Sequence, residues 1–447
     1  MRTIFALLLG LSLVAQAQTP APAPAPEQLR FTLIVSRHGI RPPLPKPTNL
    51  NVPSIDVFSS SPWPEWEVPL GYLTPHGVDA LTKMGQYLRL DLASSGLFPA
   101  GGCPAPADIF IDSDTDERDI ASSRATFQGF APHCKLPDVI TAVPGKVKDP
   151  LFTPVPGTFP APSGEPAIHA LLAALNSNPE VELSARGNPE LVLLEHILAP
   201  DPAHPPADSV LSQPIDLKPG EYGTATFGPL PAASALIEDL ELEYVDGKPL
   251  SEVGWGRVDE ATLYRLMPMR IRAFGHELRT PLYASDNASN PLAHIIATLQ
   301  RAANPETATP FTVASHQILP IGPAGTKLVY LAGHDSNLAS LGGLLDLHWT
   351  ADGTTDNTPP DSQLVFELWQ RPGSSQVDLR ILYRAQTLDQ LRSAEDLTLA
   401  HPPDVVELTP TGCGAPPCPL AQFVAAASSR IDPAYVQPEL APSQVAP

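Results

Sequence analysis

Leu29-Arg-Phe-Thr-Leu-Ile-Val-Ser36, followed at once by Arg37-His38-Gly39-Ile40-Arg41-Pro42-Pro43, is the stretch on which the reading of this chain turns. Its first eight residues are rich in apolar and β-branched side chains and predict a buried strand. A glycine and two prolines then force the chain to turn. The chemistry-bearing side chains of α/β proteins gather past the carboxyl ends of strands. Here two guanidinium groups flank an imidazole. Arginine presents a planar fork of donors that suits phosphate oxygens, and a neutral histidine can act as a nucleophile. Gly39 would let the backbone approach an anion closely. An exposed turn with ordinary salt bridges would use the same residue types, so the motif alone does not decide between them.

Two other stretches have the same form. Asp108-Ile-Phe-Ile-Asp112 predicts a second strand, followed by Ser113-Asp-Thr-Asp-Glu-Arg118 and a helix from Asp119 to Gly129. Arg118 could join an anion pocket, oriented by Asp116 or Glu117. Metal binding by these acids and a solvated acidic turn are the competing readings. Leu328-Val-Tyr-Leu331 predicts a third strand and runs into Gly333-His334-Asp335-Ser336-Asn337, with a helical pattern from Asn337 to Leu345. An imidazole beside a carboxylate can stabilise charge and supply a proton, although Asp335 or Asn337 could equally be a helix cap. The backbone N–H groups of that helix start could face an anion. No Gly-x-Ser-x-Gly elbow stands at these turns and no phosphate-cradling Gly-x-x-x-x-Gly-Lys-Ser/Thr loop occurs, which weighs against serine hydrolases and nucleotide hydrolases.

Outward from these turns, Thr74 and Pro75 predict a helix start, with Leu81, Met84, Leu88 and Leu92 on its apolar face. Residues 160 to 300 hold helical patterns at Ile168 to Leu175, Ala235 to Leu242, Val258 to Phe274 and Leu292 to Ala302, and few strand runs. Leu364 to Trp369 and Val377 to Tyr383 predict strands, with an antiparallel pair as the expectation. The tail beyond Asp432 reads as a surface strap. The fold class expected is α/β, a central mixed sheet flanked by helices. Residues 29–160 and 301–447 would form its two parts, with a smaller, mostly helical domain at 161–300.

The chain has 447 residues, 43% of them apolar and 17% charged, enough for a substantial core, and 56 prolines that favour loops over long regular helices. Met1-Arg2, the apolar run Ile4 to Val14 and Ala15-Gln16-Ala17 have the form of a secretory signal over 1–17. That run is short for a membrane span, and residues 18–28 read as a Pro/Ala-rich linker. Periplasmic or secreted location follows. Four cysteines in an oxidising compartment favour disulfides. Three pairings are open, and proximity in sequence favours Cys103 with Cys134 and Cys413 with Cys418. A net charge of −21 repels nucleic acid and anionic membranes, and the protein must concentrate its 27 lysines and arginines to hold an anion. A monomer acting on a small molecule is the expectation.

Arg37-His38-Gly39-Ile40-Arg41-Pro42-Pro43 resembles the RHGxRxP signature of histidine acid phosphatases, and Gly333-His334-Asp335-Ser336-Asn337 resembles their second, HD-containing signature. Trp63-Pro-Glu-Trp66, Leu70 to Pro75, Asp114-x-Asp-Glu-Arg118 and Gln363 to Trp369 extend the likeness to the bacterial periplasmic branch of phytases and glucose-1-phosphatases. The resemblance implies a phosphoglycerate mutase-like α/β domain beside a smaller α domain, the site lying in the cleft. It also implies His38 as nucleophile, Asp335 as proton donor, phosphate contacts from Arg37, Arg41, Arg118 and His334, and no metal or cofactor. The Cys103–Cys134 spacing resembles a disulfide of that branch, and Cys413 with Cys418 its C-terminal pair. Transfer to an imidazole through concentrated positive charge needs no metal, which fits these roles. Gly39 resembles the phytase form of the first signature, whereas Ser336 resembles the glucose-1-phosphatase form of the second. Lys46, Glu117 and Arg279 are candidates for a substrate rim, with Arg265, Arg270 and Arg272 as further basic candidates. Phytase activity is the expectation. A glucose-1-phosphatase or broad acid phosphatase is the alternative, and a non-catalytic sugar-phosphate binding protein is the alternative of another class.

Overall fold

The computed structural model describes residues 27–44, 52, 54–142, 148–154, 173, 183–184, 187–201, 203–220, 223–305, 309–371 and 373–440. The expected signal segment, Lys46 and nearly all of the helical pattern from Ile168 to Leu175 lie outside them. Seven strands form one mixed sheet: β1 (Gln28–Arg37), β2 (Ile109–Ser113), β3 (Leu328–Gly333), β4 (Gln363–Gln370), β5 (Val377–Ala385), β6 (Asp404–Leu408) and β7 (Cys418–Pro419). Their order is β6-β5-β4-β1-β3-β2, with β7 also paired to β5. β1, β3 and β2 are parallel, and β4, β5 and β6 continue the sheet antiparallel. Linker residues expected to lie outside the fold belong to it. Gln28 pairs with Gln370, and the Glu27 carboxylate holds Arg371 at 2.9 Å and Arg380 at 2.7 Å.

Alternation along β1 divides the core. Phe31, Leu33 and Val35 face one side of the sheet and Ile34 the other, while a register shift between Leu29 and Phe31 lets Leu29 join Ile34. Nine α-helices complete the fold among the described residues: α1 (Pro75–Ser94), α2 (Glu117–Phe130), α3 (Pro189–Leu198), α4 (Pro229–Val245), α5 (Glu260–Phe274), α6 (Pro281–Ala303), α7 (Asp335–Leu345), α8 (Leu388–Ser393) and α9 (Leu420–Ser428). α1 and α2 cover the Ile34 face through Leu88, Leu92, Phe127 and Phe130. α6 and α7 cover the Phe31 face through Leu292, Ile296 and Leu341. The expected division at residue 300 therefore falls inside α6, a continuous helix that packs on the sheet. α3, α4 and α5 share a separate core of Leu194, Leu236, Leu240, Leu266 and Met267.

Local chemistry sets the helix starts. The Thr74 hydroxyl accepts from Gly77 N at 2.9 Å and Pro75 takes the first helical position, as the sequence predicts. α2 begins at Glu117, two residues before its expected start, and Asp116 at the cap position turns its carboxylate to Arg118 and Lys148 instead of the helix end. The C-terminal segment runs back over α6, where Asn290 Oδ1 accepts from Gln437 N at 2.9 Å and Leu319 N donates to Pro438 O at 3.2 Å. Disulfides join Cys103 to Cys134 and Cys413 to Cys418.

α1 and α2 approach so closely that each needs a glycine at the crossing. A Cβ on Gly85 would lie 1.9 Å from Thr126 O, and one on Gly129 would lie 2.0 Å from Thr82 O. Both obstacles are backbone, which cannot swing aside. Gly129→Ala is expected to cost about 3 kcal/mol in denaturant unfolding, the upper range for overpacking. A stability equal to wild type would show that the helices part freely.

Candidate active site

The parallel pairing carries three turns to one edge of the sheet. Arg37 stands opposite Gly333 and Ser113 opposite Ala332, while His38 N donates to Gly333 O at 2.8 Å and Asp114 N to Ala332 O at 2.9 Å. Arg37, His38, Asp114 and His334, distant in sequence, therefore emerge side by side. α2 brings Arg118 and Asp119 to the same place, and α4 and α5 add Glu238 and Arg270.

His38 is buried, and its Nδ1 lies 2.8 Å from Gly39 O. A carbonyl can only accept, so Nδ1 carries the proton, and a neutral ring then has its free lone pair on Nε2. Burial and then the charges of Arg118, Arg41 and Arg37 hold the imidazolium well below the ordinary histidine range. These surroundings favour the neutral ring over the imidazolium. Its Gly39 neighbour is fixed by Ser122, whose hydroxyl accepts from Gly39 N at 2.9 Å and donates to Arg118 O at 2.6 Å. A Cβ at Gly39 would meet Leu81 Cδ1 at 2.6 Å and Leu73 Cδ1 at 3.0 Å. A side chain at this position would have to displace the Leu81 and Leu73 side chains that pack against the turn.

Arg37, with no exposed side-chain surface, donates to Thr358 O and to Glu238 Oε1, both at 2.5 Å. Arg41 reaches the same Glu238 oxygen at 3.3 Å, and Arg270 reaches it at 3.0 Å. Three arginines converge on one carboxylate. Burial alone would raise the Glu238 pKa, but Arg41, Arg270 and Arg37 together hold it far below the carboxylate range. Glu238 therefore occupies the anion position of the cluster. A phosphate taking that position would compete with it. Glu238→Gln is expected to tighten competitive inhibition by inorganic phosphate about tenfold, roughly 1.4 kcal/mol. It should also lower the melting temperature when phosphate is absent, because the arginines lose their counter-charge. An unchanged inhibition constant would remove Glu238 from this competition.

Asp335 opens α7, with Oδ2 3.0 Å from Arg270 and 3.3 Å from Arg37. Its burial and the Glu238 charge push its pKa up, yet Arg37 and Arg270 prevail and the carboxyl titrates below its usual range. His334, at the cap of α7, donates from Nε2 to Asp114 Oδ2 at 2.7 Å. Its pKa is raised: burial alone would lower it, and Asp119 and Asp114 outweigh burial. Arg118 donates to Asp116 Oδ2 at 2.7 Å and lies 3.5 Å from His334 Nδ1. Asp116 takes a second cation, Lys148, at 3.1 Å. Asp114, Asp116, Asp119 and His334 form a compact group. Protein cations already meet its charges, Arg118 and Lys148 on Asp116 and His334 on Asp114.

Sequence reasoning identifies most of this set and misses two members. Glu238 lies in an apolar helix, with no motif to mark it. Asp119 reads in the sequence only as a helix start. Arg270, one of several basic candidates, is at the site. Arg279 joins a different network, donating to Leu347 O at 2.5 Å, pairing with Asp356 at 3.4 Å and stacking over Trp349 at 4.9 Å, which makes it a packing residue. Glu117 accepts from Leu73 N at 3.1 Å and so ties down the loop before α1.

The sheet, its C-terminal edge and the His38 and His334 turns define a phosphatase, and the chain belongs to the histidine phosphatase superfamily (branch 2), whose profile matches residues 28–160 and 279–384. It is 32% identical to the phytase AppA of Escherichia coli (strain K12) over 400 residues, 86% of this chain and 87% of that one. It is 29% identical to the glucose-1-phosphatase of Salmonella typhimurium over 405 residues, 89% of this chain and 91% of that one. The solved Hafnia alvei phytase in complex with myo-inositol hexakis sulphate superposes with a TM-score of 0.79 at 30% identity, covering 93% of this chain and all of that one. The protein is a phosphoric monoester hydrolase of the acid phosphatase and phytase group and acts on small phosphate esters. Among the described residues no helix is long and apolar enough to cross a membrane.

Proposed function

We propose that this protein is an exported, monomeric acid phosphatase that works through a phosphohistidine on His38, with phytate as its preferred substrate. The observation that carries the mechanism is the neutral, buried His38 with Nδ1 bound to Gly39 O and arginines around it. Arg37, Arg41, Arg118 and His334 take the three peripheral phosphoryl oxygens, where negative charge is held in the transition state. Nε2 of His38 attacks phosphorus, the bond to the alcohol oxygen breaks, and that oxygen takes a proton from Asp335. Against the effect of burial, Arg37 and Arg270 favour the ionised Asp335 carboxylate. A bound phosphate draws Arg37 toward itself, weakens the hold on the Asp335 carboxylate and raises its affinity for the proton it must deliver. Water then attacks the phosphohistidine and gives its proton to Asp335, releasing phosphate and neutral His38.

The preference for phytate is supported by the higher identity to a phytase than to glucose-1-phosphatases, and by Arg270 as an additional cation beside the cluster. The glucose-1-phosphatase relatives make sugar phosphates the second reading. Phosphate release from phytate and from glucose 1-phosphate, measured side by side at acid pH, separates them. Phytate is expected to give a kcat/KM at least about tenfold higher, and the reverse order would overturn the assignment. Turnover is expected to persist in a strong chelator, whereas its loss would favour metal-dependent hydrolysis. No turnover on any monoester would leave only the sugar-phosphate binding reading.

A further inference from the structure

Asp119 lies in the first turn of α2, is completely buried, and has no hydrogen-bond partner on either carboxylate oxygen. Isolated burial of this kind is costly and calls for a reason. Its Oδ1 is 3.7 Å from Nδ1 of His334. The opposite ring nitrogen, Nε2, is 2.7 Å from Asp114 Oδ2 and 4.0 Å from Asp116 Oδ2. The imidazole is therefore held between carboxyl groups at both nitrogens. Nδ1 also lies 3.5 Å from Arg118 Nη2, so its proton is contested. An unprotonated Nδ1 would accept from Arg118, while a protonated Nδ1 is an ion-pair partner for Asp119.

We propose that Asp119 is a positioning residue that sets the charge of His334, its carboxylate holding the second imidazole proton so that the ring remains a cationic phosphate ligand into neutral pH. The inference rests on His334 contacting the phosphoryl group. Asp119 does not touch substrate and acts only through that ring. The charged groups that face His334 are Asp119 and Arg118 from α2, Asp114 and Asp116 from the turn before it, and His38 past β1, with ring centroids 5.7 Å apart. Lys148 bears on the same group through Asp116.

The sign of the effect follows from the order of titration. Burial, the largest cause, pushes Asp119 up to about 7, with Asp114 and Asp116 adding to it and His334 and Arg118 opposing it. In acid Asp119 is neutral, and Asp114 and Asp116 support the His334 charge. As pH rises toward neutral, Asp119 ionises, and its new negative charge strengthens the hold on the Nδ1 proton while the solution draws it away. Loss of the His334 charge is postponed to higher pH.

The test uses pH profiles of kcat/KM and of competitive inhibition by inorganic phosphate for wild type, Asp119→Asn and Asp119→Thr. Phosphate's own ionisation is common to all three and cancels in the comparison. Both substitutions should move the alkaline limb to lower pH by about one unit. They should also weaken phosphate binding about tenfold more at pH 7 than at pH 5. Asp119→Thr supplies the result if the asparagine protein fails to fold. A limb at the wild-type pH in a folded, active variant overturns the Asp119 assignment. Failure of the underlying reading is recognised separately with His334→Gln: if that protein binds phosphate as wild type does, His334 is not a phosphate ligand.

Discussion

His38→Ala is expected to abolish phosphate release from phytate and glucose 1-phosphate alike, by a factor on the order of 10³ or more. The loss should be so large because no neighbouring group can replace it. Arg37, Arg41 and Arg118 remain cationic and cannot attack, and the His334 nitrogens are engaged by Asp114, Asp119 and Arg118. Alanine leaves the arginine cluster and Glu238 in place, so inorganic phosphate should still bind and the fold should survive, as melting temperature and phosphate protection would show. Rapid quenching into alkali, where a phosphorus–nitrogen bond persists, should trap labelled phosphate on wild type and none on the variant. A residual rate within about tenfold of wild type would mean that His38 is not the nucleophile.

Asp335→Asn should divide substrates by their leaving groups. On phytate, whose alkoxide is strongly basic, removing the proton donor is expected to cost about 10²- to 10⁴-fold in kcat. On a nitrophenyl ester, whose phenoxide leaves unaided, the loss in the first transfer should be far smaller. A pre-steady-state burst separates the first transfer from hydrolysis of the phosphoenzyme, which also uses Asp335. Asparagine further removes a negative charge 3.0 Å from Arg270 and 3.3 Å from Arg37, so phosphate should bind more tightly while turnover falls. Equal losses on both esters in the burst phase would exclude an acid role.

Glu238 and Asp335 give the site two internal carboxylates before any ligand arrives. Each is stabilised as an anion by arginines that a phosphate would claim. Under the proposed mechanism, binding would draw the arginines from Asp335 and make that residue a better proton carrier when a leaving oxygen is present. Burial and then the positive charge of the arginines favour the neutral form of His38. One cluster of arginines would thus let the proposed nucleophile and acid function in the same pH range.

The strand from Leu29 to Ser36, the cap at Thr74 and the antiparallel pair β4 and β5 were legible because their signals are local: alternation, a capping hydroxyl before proline, and β-branched runs. The two signature turns were legible for a different reason, since the proposed nucleophile and its flanking phosphate ligands are written in consecutive residues. By itself the sequence determined these elements, the sign of the surface and the residues with the chemistry to transfer a phosphoryl group. Only the tertiary structure decided that β1, β3 and β2 run parallel in register and bring His38, Asp114 and His334 together. It alone set Glu238 among three arginines, sent Arg279 to Trp349 and buried Asp119 beneath His334. Local propensity cannot specify such contacts, because each joins helices or strands far apart in sequence, and its energy depends on burial and charge that exist only after the elements have packed.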